Sequence, residues 1–243
     1  MERKLCGMLV LPAAACLLLL AGCGGGGKKT LYVTGQGSSA VENFTVSGSG
    51  ALTANGSTST GANPSVVVAD PQQKYAFVAN VAGGVSAGAV SQYTVAGNGL
   101  LSANTSNIGI STTSSTIPPA PVGINPLAMA IDPGGKFLFV ANQGSNTVSV
   151  FTIDRSNGVL AEVSGSPFAT GASPSGIAAS SKAVYVANTG AGTISAYTYN
   201  SSGALTAVSG SPFAAGSTPT ALALANNDAY LYAADRAGNA VLG

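Results

Sequence analysis

The chain has 243 residues, 46% of them hydrophobic and 7% charged, with 33 Gly, three Cys, no His and no Trp, and its formal net charge is +1. Without His there is no Ser-His-Asp or Cys-His pair, no imidazole metal ligand and no histidine pH switch. So few charges combined with so much apolar content exclude an ordinary disordered chain, and the length is sufficient for one domain with its own core.

In chain order, residues 1–22 read as a signal peptide. Arg3 and Lys4 give a basic start, and Leu5 to Leu20 is almost wholly apolar. That run is shorter than the roughly 20 residues of a membrane span and is broken by Pro12. Leu20-Ala21-Gly22-Cys23 resembles the bacterial lipobox, which implies cleavage before Cys23 and lipid attachment to its sulfur. An ordinary secretory signal and an uncleaved anchor stay open as alternatives. On the lipobox reading the protein is exported and lipid-anchored in the bacterial cell envelope, with the membrane as its first partner. Cys6 and Cys16 leave with the signal, so the mature chain has no disulfide and no thiolate ligand. Residues 23–30 then form the lipidated Cys and a Gly/Lys tether. Beyond Cys23 seven cations (Lys28, Lys29, Lys74, Lys136, Arg155, Lys182, Arg236) balance seven acids (Glu42, Asp70, Asp132, Asp154, Glu162, Asp228, Asp235). With no basic stripe, nucleic acid is not an expected partner.

Residues 31–243 repeat. A strand-like segment ending in a turn residue recurs as Tyr32-Val33-Thr34-Gly35, Phe77-Val78-Ala79-Asn80, Phe139-Val140-Ala141-Asn142, Tyr185-Val186-Ala187-Asn188 and Tyr232-Ala233-Ala234-Asp235, at intervals of 45, 62, 46 and 47 residues. Upstream of four of these lies Gly-x-x-Pro, at Gly61/Pro64, Gly123/Pro126, Gly171/Pro174 and Gly216/Pro219. Val163 to Ala169 recurs unchanged at Val208 to Ala214. Within one unit the period is two: Ser175–Ala179, Ala183–Ala187, Thr193–Tyr199 and Leu205–Ser209 read as strands a, b, c and d, with Gly, Asn, Ser and Pro at the joints. Four strands per repeat of about 45 residues predict an all-β fold, a β-propeller of four-stranded antiparallel blades, in preference to a β-sandwich. The strand order is b-c-d, three full blades, then a, b and the start of c at Asn239–Leu242. The first blade lacks an a strand and the sequence stops inside a strand, so the expectation is an incomplete seven-bladed propeller from a longer chain, with open sheet edges.

The units resemble the YVTN-type blades of the lactonase-family propellers, which include the bacterial 6-phosphogluconolactonases. The resemblance rests on Pro126, Asp132-Pro133-Gly134-Gly135-Lys136, Phe139-Val140-Ala141-Asn142, Gly158-Val159-Leu160 and Gly165-Ser166-Pro167-Phe168. It implies a seven-bladed fold and a lactone hydrolase activity. Family members with that activity are associated with His, Arg and Glu in the central channel, and no such position carries over to this chain.

Without His, and without Cys in the mature chain, chemistry would rest on carboxylates, Lys, Tyr or Ser. The candidate catalytic groups are Glu42, Glu162, Arg155 and Arg236. Asp70, Asp132 and Asp228 read as turn formers, as do Asn80, Asn142, Asn188 and Asp235 at the end of strand b, although a ring of the latter could line one propeller face. Two insertions in the second unit, Val81 to Ala89 and Ser106 to Val122, read as tolerated loops. No cofactor and no metal is expected. Two function classes follow. One is a lipid-anchored, non-enzymatic binding or structural module that holds a protein, glycan or small molecule on its face. The other is a lactone hydrolase.

Overall fold

The computed structural model describes residues 18–21, 29–81, 86–104, 122–225 and 228–243. Gly22, Cys23, the tether to Lys28, residues 82–85 of the first insertion and residues 106–121 of the second lie outside the described residues. The described residues form five small antiparallel sheets. The first runs β1 (Leu18–Ala21), β2 (Lys29–Gly35), β3 (Ala40–Val46), β4 (Leu52–Ser59), and the second β5 (Pro64–Ala69), β6 (Tyr75–Asn80), β7 (Ala89–Val95), β8 (Leu101–Ala103). The third takes β9 (Pro126–Ile131), β10 (Phe137–Asn142), β11 (Thr147–Ile153), β12 (Leu160–Glu162), with β13 (Phe168–Ala169) also on β11. The fourth repeats it with β14 (Pro174–Ala179), β15 (Ala183–Asn188), β16 (Thr193–Tyr199), β17 (Leu205–Ala207) and β18 (Phe213–Ala214) on β16. The fifth is β19 (Pro219–Ala225), β20 (Tyr230–Asp235) and β21 (Ala240–Leu242).

These sheets follow the a-b-c-d reading closely, with two differences. Leu18–Ala21, expected to leave with the signal, pairs antiparallel with β2 from Leu18↔Val33 to Ala21↔Thr30, and so fills the a position expected to be empty. An unpaired inner edge on β2 would leave backbone donors and acceptors unsatisfied, and a short extended segment answers that need. The second difference is the recurring Gly-Ser-Pro-Phe-Ala segment, which adds a short strand to c instead of acting only as a joint. Ser166 and Ser211 occupy the break between d and this extra strand, where their hydroxyls accept the Val150 and Ala196 N–H groups at 3.0 and 2.9 Å.

The sheets stand in a row: the first strands β5, β9, β14 and β19 lie successively side by side, and β1 and β2 of the first sheet lie against β5. This is a propeller-like arrangement. Among the described residues no packing of comparable extent joins the fifth sheet back to the first. Alternation along each strand sends apolar side chains to both faces, so each sheet is glued to its neighbours on either side. Val66, Phe77 and Val90 meet Leu138, Val140 and Phe151 between the second and third sheets. Phe139, Val148 and Val150 meet Val184, Val186 and Tyr197 between the third and fourth. Tyr32 and Val41 meet Val67, Val78 and Tyr93 between the first and second. Phe139 is fully buried, and truncating such a ring to Ala costs about 3–5 kcal/mol.

Hydrogen bonds stitch the same interfaces. Ser65 donates to the Pro126 carbonyl at 2.6 Å, Thr189 to that of Pro219 at 2.6 Å and Tyr93 to that of Ser59 at 2.9 Å. The low charge of the sequence thus reflects sheets covered on both faces, where ionised side chains have few places to stand.

Candidate functional site

The two repeat markers meet in space. Pro64 lies opposite Asn80, Pro126 opposite Asn142, Pro174 opposite Asn188 and Pro219 opposite Asp235, each pair beside a register shift in the a–b ladder. The four residues at the end of strand b therefore sit at one rim, at equivalent places in four successive sheets. All four are buried. Asn80 donates to Ser91 at 2.8 Å and to the Val78 carbonyl at 3.1 Å. Asn142 donates to Ser149 at 2.9 Å and Thr147 at 3.1 Å, and Asn188 repeats both bonds with Ser195 and Thr193. The Oδ1 atoms of the three Asn are buried without a hydrogen-bond partner.

The glycine of each Gly-x-x-Pro packs on this side chain. A Cβ at Gly61 would lie 2.9 Å from Asn80 Cγ, at Gly123 2.8 Å from Asn142 Cβ, and at Gly171 2.7 Å from Asn188 Nδ2, while at Gly216 it would strike Asp235 Oδ2. Asp235 accepts the Ser217 and Thr218 N–H groups at 3.0 and 2.8 Å. Those bonds, the Ser217 one first, hold its carboxyl below the usual range. These contacts tie strand b to strand c in the three Asn sheets and to the loop entering strand a at Asp235. The serines at the start of strand c, seven residues beyond Asn142 and Asn188, went unremarked in the sequence, although their fixed offset was visible there.

At the opposite rim Asp70 accepts the Lys74 and Tyr75 N–H groups at 2.7 Å and that of Gln72 at 3.1 Å, and Asp132 does the same for Lys136, Phe137 and Gly134 at 2.7, 2.6 and 2.9 Å. In the fourth sheet Ser180 takes this place, accepting the Lys182 and Ala183 N–H groups. Asp228 lies in the equivalent turn with φ 67°.

The four candidate catalytic residues are not brought together. Glu42 is half-buried in the middle of β3 and accepts Ser57 Oγ at 3.1 Å. Glu162 ends β12, exposed, and accepts Ser166 Oγ at 2.9 Å. Arg155 stands in the exposed β11–β12 turn, its carbonyl receiving Lys74 Nζ at 3.4 Å. Arg236 follows Asp235 at the rim of the Asn residues, exposed, with its N–H on the Thr218 carbonyl at 3.1 Å. They occupy three different sheets. Among the described residues no three acids gather as metal ligands, and no helix is long and apolar enough to cross a membrane.

Four phenols are shifted, three of them buried (Tyr32, Tyr93, Tyr197) and one, Tyr199, partly buried. Burial pushes Tyr32 and Tyr199 up to about 12, with the Asp132 and Asp228 charges adding to the effect at Tyr199. Tyr93 and Tyr197 are raised by burial as well. Tyr32 donates to the Gly99 carbonyl at 2.7 Å and Tyr199 to that of Ser180 at 2.7 Å, so these hydroxyls hold backbone carbonyls and are not poised as proton acceptors.

Compared with known proteins, residues 111–173 match the family described as lactonase, 7-bladed beta-propeller. No curated protein matches the chain. Among solved structures it is similar to a functionally unknown protein from Desulfotomaculum acetoxidans (TM-score 0.66, 17% identity, 84% of this chain and 58% of that one). It is also similar to candidate 6-phosphogluconolactonases from Bacteroides fragilis (TM-score 0.62, 20% identity, 84% and 56%) and Bacteroides uniformis (0.62, 20%, 86% and 61%). The chain spans less than two thirds of the length of each of these structures. At such identities the likeness shows a propeller-type fold and nothing finer.

Proposed function

We propose that the chain is a lactonase-type propeller module whose ligand class is the cyclic ester of a sugar acid. The observation that carries this reading is the agreement of two independent likenesses: the lactonase family match over residues 111–173 and the fold shared with candidate 6-phosphogluconolactonases. On this reading water adds to the lactone carbonyl carbon, a carboxylate such as Glu42 or Glu162 takes the water's proton and returns it to the ring oxygen as the acyl C–O bond breaks, and Arg155 or Arg236 faces an anionic substituent. The test is hydrolysis of 6-phosphogluconolactone and of an unphosphorylated aldonolactone by the purified chain, followed by proton release. A rate above buffer that falls on changing one of Glu42, Glu162, Arg155 or Arg236 to Ala supports the assignment. A rate that survives all four changes removes these residues and keeps the activity.

A second reading is favoured by the dispersal of those four side chains over three sheets. It is a non-enzymatic binding or structural module, held at the cell envelope through a lipid on Cys23, that presents a propeller face to a protein, glycan or small molecule. Absence of hydrolysis together with saturable binding on a glycan or peptide array supports it.

A further inference from the structure

Asn-Gly occurs three times, as Asn55-Gly56, Asn98-Gly99 and Asn157-Gly158. Such a pair is chemically reactive, because a glycine nitrogen with no Cβ beside it can reach the amide carbon of the preceding Asn side chain. Reaction requires that the glycine N–H leave its hydrogen bond and that the amide rotate towards the backbone. The fold meets those requirements unequally at the three places.

Asn98-Gly99 and Asn157-Gly158 occupy the same turn, between strands c and d of the second and third sheets, and are fixed in the same way. The Gly99 N–H donates to the Ala96 carbonyl at 2.7 Å and the Gly158 N–H to that of Asp154 at 2.6 Å. Asn98 Oδ1 accepts the Leu100 N–H at 3.1 Å, and Asn157 Oδ1 accepts that of Val159 at 2.9 Å. Both glycines are buried. A Cβ would strike Thr30 at Gly99 and the Tyr75 ring at Gly158. In both turns, attack would first have to break the bond of the glycine N–H and the bond to the side-chain oxygen.

Asn55-Gly56 lies in β4, the last strand of the first sheet. The β3–β4 ladder pairs Asn43 with Gly56 and Phe44 with Ala54, so Asn55 is the extra residue of a bulge, where the ladder is locally disrupted. Gly56 is exposed, with φ 131°. Among the described residues the Asn55 side chain is held through Nδ2 alone, which donates to the Asn98 carbonyl of the second sheet at 2.9 Å. We infer that Asn55-Gly56 is a site of spontaneous deamidation in the folded chain, and that the other two pairs are protected. The Gly56 nitrogen adds to Asn55 Cγ, the Cγ–Nδ2 bond breaks, and Nδ2 leaves as ammonia with the proton from the Gly56 nitrogen. Water then opens the five-membered imide at either carbonyl, which gives aspartate or isoaspartate at position 55. The new carboxylate has no proton to offer the Asn98 carbonyl, so this tie between the first and second sheets is lost.

The purified full chain, in mild detergent at mildly alkaline pH, is incubated either folded or in concentrated urea. Far-UV dichroism confirms the state of each sample, and peptide mass mapping follows the conversion of amide to acid at each Asn. In urea all three pairs should convert at similar rates. In the folded chain Asn55 should convert about tenfold or more faster than Asn98 and Asn157, the factor expected when one or two hydrogen bonds must break first. Isoaspartate, detected by enzymatic methylation of its carboxylate, should accumulate in the folded chain and be lost in Asn55→Gln. A folded chain that keeps the Asn55 amide over the time in which the urea-treated chain converts overturns the inference. So does a folded chain in which Asn98 or Asn157 converts as fast as Asn55, and so does an Asn55→Gln variant that accumulates isoaspartate undiminished.

Discussion

Asn142 Nδ2 donates to Ser149 Oγ at 2.9 Å, joining the end of strand b to the start of strand c inside one sheet. Asn188 and Ser195 repeat the bond at the same length, so the final Asn of the aromatic-Val-Ala-Asn repeat is a structural tie. Removing it leaves buried hydroxyls to find other partners. Asn142→Ala is expected to lower stability by about 1–3 kcal/mol, the range for losing a buried hydrogen-bonding side chain. Chemical denaturation read by far-UV dichroism would show a lower midpoint with an unchanged slope; an unchanged midpoint would mean that the tie carries no stability.

The glycine above that side chain is constrained by contact. A methyl group at Gly171 would come within 2.7 Å of Asn188 Nδ2 and 3.0 Å of its Cβ. Because Asn188 is fully buried and held by two hydroxyls, it has no room to swing aside. Gly171→Ala is therefore expected to cost about 1–3 kcal/mol as an overpacking change. Asn188→Ala combined with Gly171→Ala should cost less than the sum of the two, because the clash disappears with the Asn side chain. A double-mutant cycle by thermal melting measures that coupling, and additivity would refute the contact.

Much of this was legible in the sequence because repetition makes local signals redundant. Five Tyr/Phe-led segments, 45 to 47 residues apart except across the insertions of the second unit, located strand b of each described sheet, and the Pro of Gly-x-x-Pro marked the start of strand a in four sheets, as observed from Pro64 to Pro219. What escaped depended on partners distant in sequence. The pairing of Leu18–Ala21 with β2 is a property of an empty edge and not of those four residues, whose apolar run suits a signal segment equally well. Likewise the contact of Tyr75 with Gly158 joins residues in different repeats, and it becomes visible only when the sheets stand side by side. The candidate site was least legible, since Glu42, Glu162, Arg155 and Arg236 were selected by residue type and the fold disperses them.

Asp235 gives the fifth sheet a pH dependence. The Ser217 and Thr218 N–H groups favour its carboxylate, so its folded value lies below the ordinary 3.8. A depressed carboxyl contributes stability that is present above its unfolded value and is lost as the pH falls through the folded one. Stability should therefore decline on acidification from about pH 5 downwards. The decline should be smaller in Asp235→Asn, which has no charge to lose at this position. Denaturation midpoints measured at stepped pH values for both chains would decide it, and parallel profiles would count against a role for Asp235.

The buried phenols act at the other end of the scale. Tyr32 and Tyr199 are pushed from 10.0 up to about 12. A raised phenol favours the protonated fold, so this contribution is complete below pH 10 and is lost as the pH rises towards 12. Ultraviolet titration should show Tyr32 and Tyr199 ionising only as the fold opens. Smooth titration of every tyrosine near pH 10 with the fold intact would contradict the burial.

The first sheet and the proposed lipidation compete for the same residues. Cleavage before Cys23 removes Leu18–Ala21 and with them the partner of Thr30 to Val33 on the inner edge of β2. The unpaired edge then regains contact with water, while the other edge of β2 stays paired with β3 from Lys29 to Gly35. A chain beginning at Cys23 is expected to exchange backbone hydrogens at Thr30–Val33 faster than the full chain, with rates in the third and fourth sheets unchanged. In cells, Cys23→Ser should block processing, keep Leu18–Ala21 attached and preserve the protection at Thr30–Val33. Equal exchange in the processed and unprocessed chains would show that β1 contributes nothing to the edge, and release of an unlipidated but cleaved Cys23→Ser chain would show that an ordinary secretory signal operates here.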